Sequence, residues 1–168
     1  NSGSALRSNT EKLVNLQMEA AVLLSQAFGY AREQAELTQK YKDLLNNTDE
    51  SQQVIAKKVR VSAEAAALAK RMIGKTTKEL DPAGKAKLQE ARGKNRYIVA
   101  QLGKTTMSFF GNFGSLSDMV ALAPALDDSL KTSCGLHHSM TDYAAKKQIP
   151  VNNKKIDTQK TDMSAFNQ

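Results

Sequence analysis

Apolar residues recur in alternating steps of three and four along the first part of the chain: Leu13, Leu16, Ala20, Leu23, Ala27, Tyr30, Gln34, Leu37, Tyr41 and Leu44, with Gln34 the one polar member. This spacing predicts a single helix of about nine turns. Leu24, Phe28, Ala31, Ala35 and Leu45 widen the stripe beyond a two-stranded seam, so the helix is expected to meet more than one neighbour. Asn46, Asn47 and Thr48 end it, because their short polar side chains bond to local backbone, and Thr48 or Asp49 is placed to cap the next helix.

A second segment, from about Glu50 to Leu80, carries Val54, Val61, Ala65, Leu68 and Met72 at helical spacing. Ala63, Ala65, Ala66, Ala67 and Ala69 keep it slender, so a neighbouring helix can approach closely. Asp81-Pro82 marks a boundary, since proline suits the first position of a helix and aspartate the cap before it. The third stripe is Leu88, Ala91, Asn95, Ile98, Leu102, Thr105 and Phe109, ending near Gly111 and Gly114.

Ser115 to Asp118 has capping-box spacing with aspartate in place of glutamate, and opens a stripe of Leu116, Met119, Ala123, Leu126, Leu130 and Met140. Pro124 either kinks this helix or divides it, with Asp127 and Asp128 well placed near a positive N-terminal end. From Gln148 the chain is polar and rich in lysine, and Ile149, Val151, Ile156, Met163 and Phe166 are the residues able to dock it.

These segments predict an all-α protein, an antiparallel up-down four-helix bundle with long helices and a polar C-terminal tail. Residues 1–148 are expected to form one domain, and 149–168 a tail docked on it. Composition agrees. Aromatic residues make up 5% of the chain and tryptophan is absent, which favours helix packing over a β-sandwich core.

No apolar run reaches the roughly 20 residues needed to span a bilayer, so no transmembrane segment is expected. The first ten residues contain neither an initiator methionine nor a signal-peptide core. This is read as a processed or trimmed start that hides the compartment, with export favoured over the cytoplasm. The lone Cys134 excludes an internal disulfide.

Gly-Lys-Thr-Thr occurs twice, at 74–77 and 103–106. A phosphate-cradling loop needs an earlier glycine between a strand and a helix, and the matching positions are Ala69 and Ile98, both inside expected helices. Gly74 and Gly103 are therefore read as close-packing or end-of-helix positions.

Charge changes the picture more than motif does. Residues 57–104 carry thirteen lysines and arginines against four acids, while residues 1–56 sum to −2 and residues 105–168 to zero. Paired as an antiparallel hairpin, the second and third helices would present Lys57, Lys58, Lys70, Arg71, Lys94 and Arg96 to nucleic acid, an anionic membrane surface or an acidic partner. The competing reading is a lysine-rich solvated face, since no helix-turn-helix pattern or stacking aromatics lie nearby.

Residues 133–143, SCGLHHSMTDY, hold the single cysteine and both histidines. On a helix Cys134, His138 and Asp142 form one row, while His137 turns toward Leu130 and Met140. That row is a weak zinc or copper candidate, because one straight helix does not wrap three ligands round an ion. The expectation is a partly buried His137, a packing Cys134 and a surface pair of His138 with Asp142. No nucleophile elbow is present, and Asp127 and Asp128 point about 100° apart on a helix. The expected function is therefore a non-enzymatic structural or interaction module with a protein partner and no cofactor. Anion binding through 57–104 is the alternative and a small-ligand or metal-binding bundle the third reading. The oligomeric state stays open.

Overall fold

The computed structural model describes residues 2–111 and 116–151, with side chains described over 7–104 and 120–151. Five helices account for nearly all of it: α1 Ser2–Phe28, α2 Ala31–Asn46, α3 Gln52–Lys75, α4 Pro82–Gly111 and α5 Leu116–Lys146, with no strand among the described residues. The chain is all-α, as its periodicity predicts.

The first expected helix is in fact two. Gly29 takes φ +73°, a left-handed conformation that costs glycine little and other residues more. The Tyr30 N–H donates to the Ser25 carbonyl at 2.9 Å and the Gly29 N–H to that of Gln26 at 3.2 Å, the paired bonds of a Schellman stop. The next helix returns beside the first: the Tyr41 hydroxyl lies 3.4 Å from Glu19, and Leu44 lines a cleft with Val14. The three-and-four spacing hides this break because both sides of it are buried. Leu37, Tyr41 and Leu44 are covered like Leu13, Leu16, Ala20 and Leu23, whereas Ala31, Ala35 and Leu45 are exposed.

Helix α1 occupies the centre. Every residue from Leu16 to Ser25 is buried, which a helix achieves only with neighbours on all sides. It packs on α2, α3 and α4, and α5 closes the assembly against α3 and α4. The hairpin expected of the second and third helices does not form: α3 and α4 share no packing seam, and each meets α1 on one side and α5 on the other. The loop between them lets the chain cross from one flank of α1 to the opposite one.

The N-cap of α3 is Ser51, whose hydroxyl accepts from the Val54 N–H at 3.3 Å, rather than Thr48 or Asp49. Its buried face is Ile55, Ala56, Val59, Ser62, Ala63, Ala66, Ala69 and Met72. Val54, Val61 and Leu68, expected in the core, sit half-buried at its margin. Alanines make up much of the buried face, beside Ile55, Val59 and Met72, and their small size lets α1 and α5 come close.

Asp81 caps α4 as expected, its Oδ1 accepting from the Gly84 N–H at 2.7 Å. A β-carbon at Gly84 would lie 3.3 Å from the Ala27 carbonyl oxygen and 3.2 Å from Leu80, so glycine is what lets α4 begin against the end of α1. Leu88, Ala91, Asn95, Ile98 and Leu102 are all buried. Helix α5 runs through Pro124, whose exposed position tolerates the lost hydrogen bond. It stops at Gln148, φ +56°, with the Ile149 N–H donating to Ala144 at 2.8 Å, and Ile149 is buried. The Gln89 amide then holds the Pro150 carbonyl at 2.7 Å. The cap at Ser115, the side chains of Thr105, Phe109, Leu116 and Met119, and Ile156, Met163 and Phe166 lie outside the described residues.

Candidate functional site

The first Gly-Lys-Thr stretch spans the end of α3, with Thr76 as its extended C-cap, and the second lies inside α4. Ala69 and Ile98, where a phosphate loop would need its first glycine, are fully buried within α3 and α4. Gly74 is the penultimate residue of α3 and Gly103 lies inside α4. Neither is a close-packing position among the described residues, where a β-carbon at either meets nothing within 4 Å.

The core contains polar groups that the hydrophobic pattern does not announce. Lys94 reaches Glu19 at 3.2 Å, both nearly sealed from solvent, and the Tyr41 hydroxyl lies on the other oxygen of the same carboxylate. Burial, then the negative charge of Glu19, pushes the Tyr41 hydroxyl well above its ordinary pKa. A layer below, Gln17 donates to the Ser133 hydroxyl, Ser129 donates to Gln17 at 3.3 Å, and the Asn95 amide donates to the Ser133 carbonyl at 2.9 Å. These contacts tie α1, α2, α4 and α5 in one register, because a shift of either partner strands a buried polar group.

The six candidate anion-binding residues are not gathered on one face. Lys58 is buried and donates to the Asn47 carbonyl at 2.7 Å, with Glu11 at 3.5 Å, so it closes the α2–α3 turn over α1. Lys94 belongs to the core pair with Glu19. Lys57, Lys70 and Arg71 are exposed on α3, while Arg96 is exposed on α4. Sequence reasoning grouped them because it placed the two helices side by side.

On α3 itself a coherent surface emerges. Lys57, Arg60, Arg71 and Lys75 lie along its outer side with half-buried Val61 and Leu68 between them, and Glu64 is the one acid. None of these four cations enters an ion pair among the described residues. Some exposed cations elsewhere do, Arg32 with Glu36 on α2, Lys131 with Asp127 on α5 and Lys147 with Glu79, whereas exposed Lys40, Lys42 and Lys70 enter none among the described residues. Sequence reasoning missed Arg60 and Lys75, although the helical period places them one turn from Lys57 and Arg71.

The Cys134, His138, Asp142 row does not converge on a metal site: no group of three His, Cys, Asp or Glu side chains among the described residues does. Cys134 is half-buried, and the expected ion pair of His138 with Asp142 is not formed, both being exposed. His137 is half-buried as expected, but its surroundings are unexpected. From α4, the Arg92 Nε donates to the Thr141 hydroxyl, one turn along α5 from His137, at 3.2 Å. Burial, then Arg92, His138 and Arg96, holds the His137 imidazole below its ordinary pKa. Arg92 is likewise lowered by burial and by Arg96.

A cleft between α1 and the α2–α3 turn is lined by Glu11, Val14, Asn15, Leu44, Asn47 and Lys58. Its one cation is already engaged by Glu11 and Asn47. No helix among the described residues is long and apolar enough to cross a membrane. Compared with family models, with curated proteins and with solved structures, the chain matches none.

Proposed function

We propose that this protein is a non-enzymatic helical interaction module that recognises an acidic amphipathic segment of a protein partner along the outer side of α3. The observation that carries the reading is the line of Lys57, Arg60, Arg71 and Lys75, without ion pairs among the described residues, flanking half-exposed Val61 and Leu68. Uncompensated charge on a rigid helix raises the local potential for an anionic partner. Aliphatic carbon between the two cationic ends suits the apolar side of a partner helix better than it suits a phosphate backbone.

The rigidity follows from the architecture, read as a four-helix bundle of α1, α3, α4 and α5 in which α4 runs antiparallel to α1 and α5, with α2 laid back along α1. Support comes from the registers of the contacts. Glu19 meets Lys94 and Ala27 lies by Gly84, as antiparallel helices require; Asn95 meets Ser133 while Arg92 meets Thr141, the same relation for α4 and α5. Lys58 near Glu11 and Met72 near Tyr30 make α1 and α3 parallel, an arrangement the intervening α2 permits.

Titrating a short peptide rich in Glu and Leu, anionic vesicles and duplex DNA against the full chain tests the reading. Saturable peptide binding that is lost on reversing Lys57, Arg60, Arg71 and Lys75 to glutamate is expected. Preferential binding of DNA or vesicles, lost with the same variant, would transfer the face to the nucleic-acid or membrane reading. Binding insensitive to the four reversals would remove α3 as the interface.

A further inference from the structure

We propose that the chain has a second, dimeric state in which Gly29 and Tyr30 become helical, α1 and α2 join into one helix, and α1 is exchanged between two copies. Leu23, Ala27, Tyr30, Gln34, Leu37, Tyr41 and Leu44 keep alternating steps of four and three straight through the turn, so a continuous helix there has one unbroken stripe. A turn between two separate helices places no such demand on the register. Only the two-residue link interrupts the helix, with Gly29 at φ +73° and Tyr30 at ψ 77°. Straightening replaces the Schellman bonds to Gln26 and Ser25 by ordinary helical ones, and gives up the 3.4 Å bond from the Tyr30 hydroxyl to the Met72 carbonyl.

The contacts of α2 define where a second copy fits. α2 packs chiefly on α1, with a slight touch on α3. Its contacts with α1 are antiparallel and centred on the turn: Tyr41 lies 3.4 Å from Glu19, and Leu44 shares a cleft with Val14, each pair nearly equidistant in sequence from Gly29 and Tyr30. Two straightened helices laid antiparallel about a two-fold axis at the turn restore both pairs, Glu19 of each copy meeting Tyr41 of the other. The α1 of each copy enters the other's α3 and α4, where Lys94 meets Glu19 as it does within one chain.

The contacts are thus the same in both states and only their connectivity changes, so the link and the chain concentration decide between them. A helix tied by a short link meets its neighbour at an effective concentration of about millimolar, and chains must approach that value to exchange. Every residue of α1 from Leu16 to Ser25 is buried, so α1 leaves its own bundle only by opening the core. The choice is therefore made as the chain folds. The dimer carries the outer side of α3 twice, but the exchange rests on Gly29 and α1 and is independent of the reading of that side.

Refolding the full chain from denaturant at about 10 µM and at about 1 mM, then sizing the products by chromatography with light scattering, brackets that effective concentration. Monomer at the lower concentration and a dimer that persists on dilution at the higher are expected. Gly29→Ala disfavours the left-handed stop and favours continuous helix. A β-carbon there meets only the flexible end of Lys78 among the described residues, at 3.3 Å, so the bundle is retained. The variant should strengthen association roughly hundredfold, a factor of about ten at each of the two links. Ala31→Pro acts oppositely, because the exposed first position of α2 accepts proline whereas the interior of a continuous helix does not. It should leave a folded monomer and no dimer at either concentration. Gly103→Ala, helical in both states, should leave their ratio unchanged. Monomer alone from the unaltered chain at the higher concentration, or a dimer that survives Ala31→Pro or is not enriched by Gly29→Ala, overturns the proposal.

Discussion

Helices α2 and α3 both lie against α1 and both read as amphipathic, yet they are attached differently. α2 buries Leu37, Tyr41 and Leu44, and its exposed Arg32 is paired with Glu36. α3 buries eleven residues between α1 and α5, and its outer cations Lys57, Arg60, Arg71 and Lys75 enter no ion pair among the described residues. The hydrophobic period marks which side of each helix is inward but not how many neighbours cover it. Neighbour number decides the rest: a helix clasped on one side can loosen alone, whereas one wedged between two others cannot leave without opening the core.

The Glu19–Lys94 pair is where the comparison is most exposed to test, because Tyr41 of α2 rests on it while α3 does not. Lys94→Met leaves a buried carboxylate without its cation and should cost about 3–5 kcal/mol. Adding Glu19→Gln should restore part of the melting temperature by removing the stranded charge. If Lys94→Met melts like the unaltered protein, the pair is not buried in solution.

Ile55 on α3 and Leu37 on α2 are both essentially inaccessible, so burial alone predicts equal effects of truncation. Ile55→Ala should lower global stability by about 2–5 kcal/mol. Leu37→Ala should cost less globally, since α2 can detach first, and should show as faster amide exchange confined to α2. Equal losses with no local exchange would make α2 as integral as α3.

Alkaline pH should loosen α2 before α3. The Tyr41 hydroxyl has its pKa raised by burial and by Glu19, so the folded state favours the protonated phenol. Its contribution is intact below pH about 10, the value of an exposed tyrosine, and falls as pH rises beyond it because only the unfolded chain releases that proton. Tyr41→Phe should cost about 1 kcal/mol at neutral pH and flatten the alkaline limb. Part of the slope should persist, since Tyr143 is also raised by burial. An unchanged alkaline limb in Tyr41→Phe would place the sensitivity outside α2.

The inward stripes of α1 and α4 and the cap at Asp81 were legible because each depends on neighbours within a few positions in sequence. The stop at Gly29 was not, since Tyr30, Gln34 and Leu37 continue the spacing across it; a glycine within an otherwise good pattern was the available signal. The separation of α3 from α4, and with it the scattering of Lys58, Lys94 and Arg96, depends on α1 and α5 coming between them. Local periodicity carries no record of that. Arg92 escaped notice for the same reason: only the approach of α5 sets His137 and Thr141 before it. Gly103 is the converse case, a glycine read as a close-packing or end-of-helix position that lies inside α4 with no close neighbour among the described residues. Gly103→Ala should therefore stabilise the fold by about 0.5–1 kcal/mol through helix propensity, whereas Gly84→Ala should destabilise it. A loss of stability at Gly103 would show a close neighbour there after all.

The smallest effects concern the outer charges, where α2 and α3 should differ in sign. Arg32→Gln removes the i,i+4 pair with Glu36, 3.6 Å apart and solvent-exposed, and should cost about 0.2–0.5 kcal/mol at low salt. Lys57→Gln removes a cation that has no such partner, lies toward the positive N-terminal end of α3 and shares that surface with Arg60. It should leave stability unchanged or raise it slightly. Both effects should shrink in high salt, because exposed charges are screened over roughly 10 Å at 0.1 M and less above it. Melting curves of the two variants at low and high salt decide the matter: a destabilising Lys57→Gln would mean that the cation is satisfied within the chain and that the outer side of α3 is no freer to meet a partner than α2.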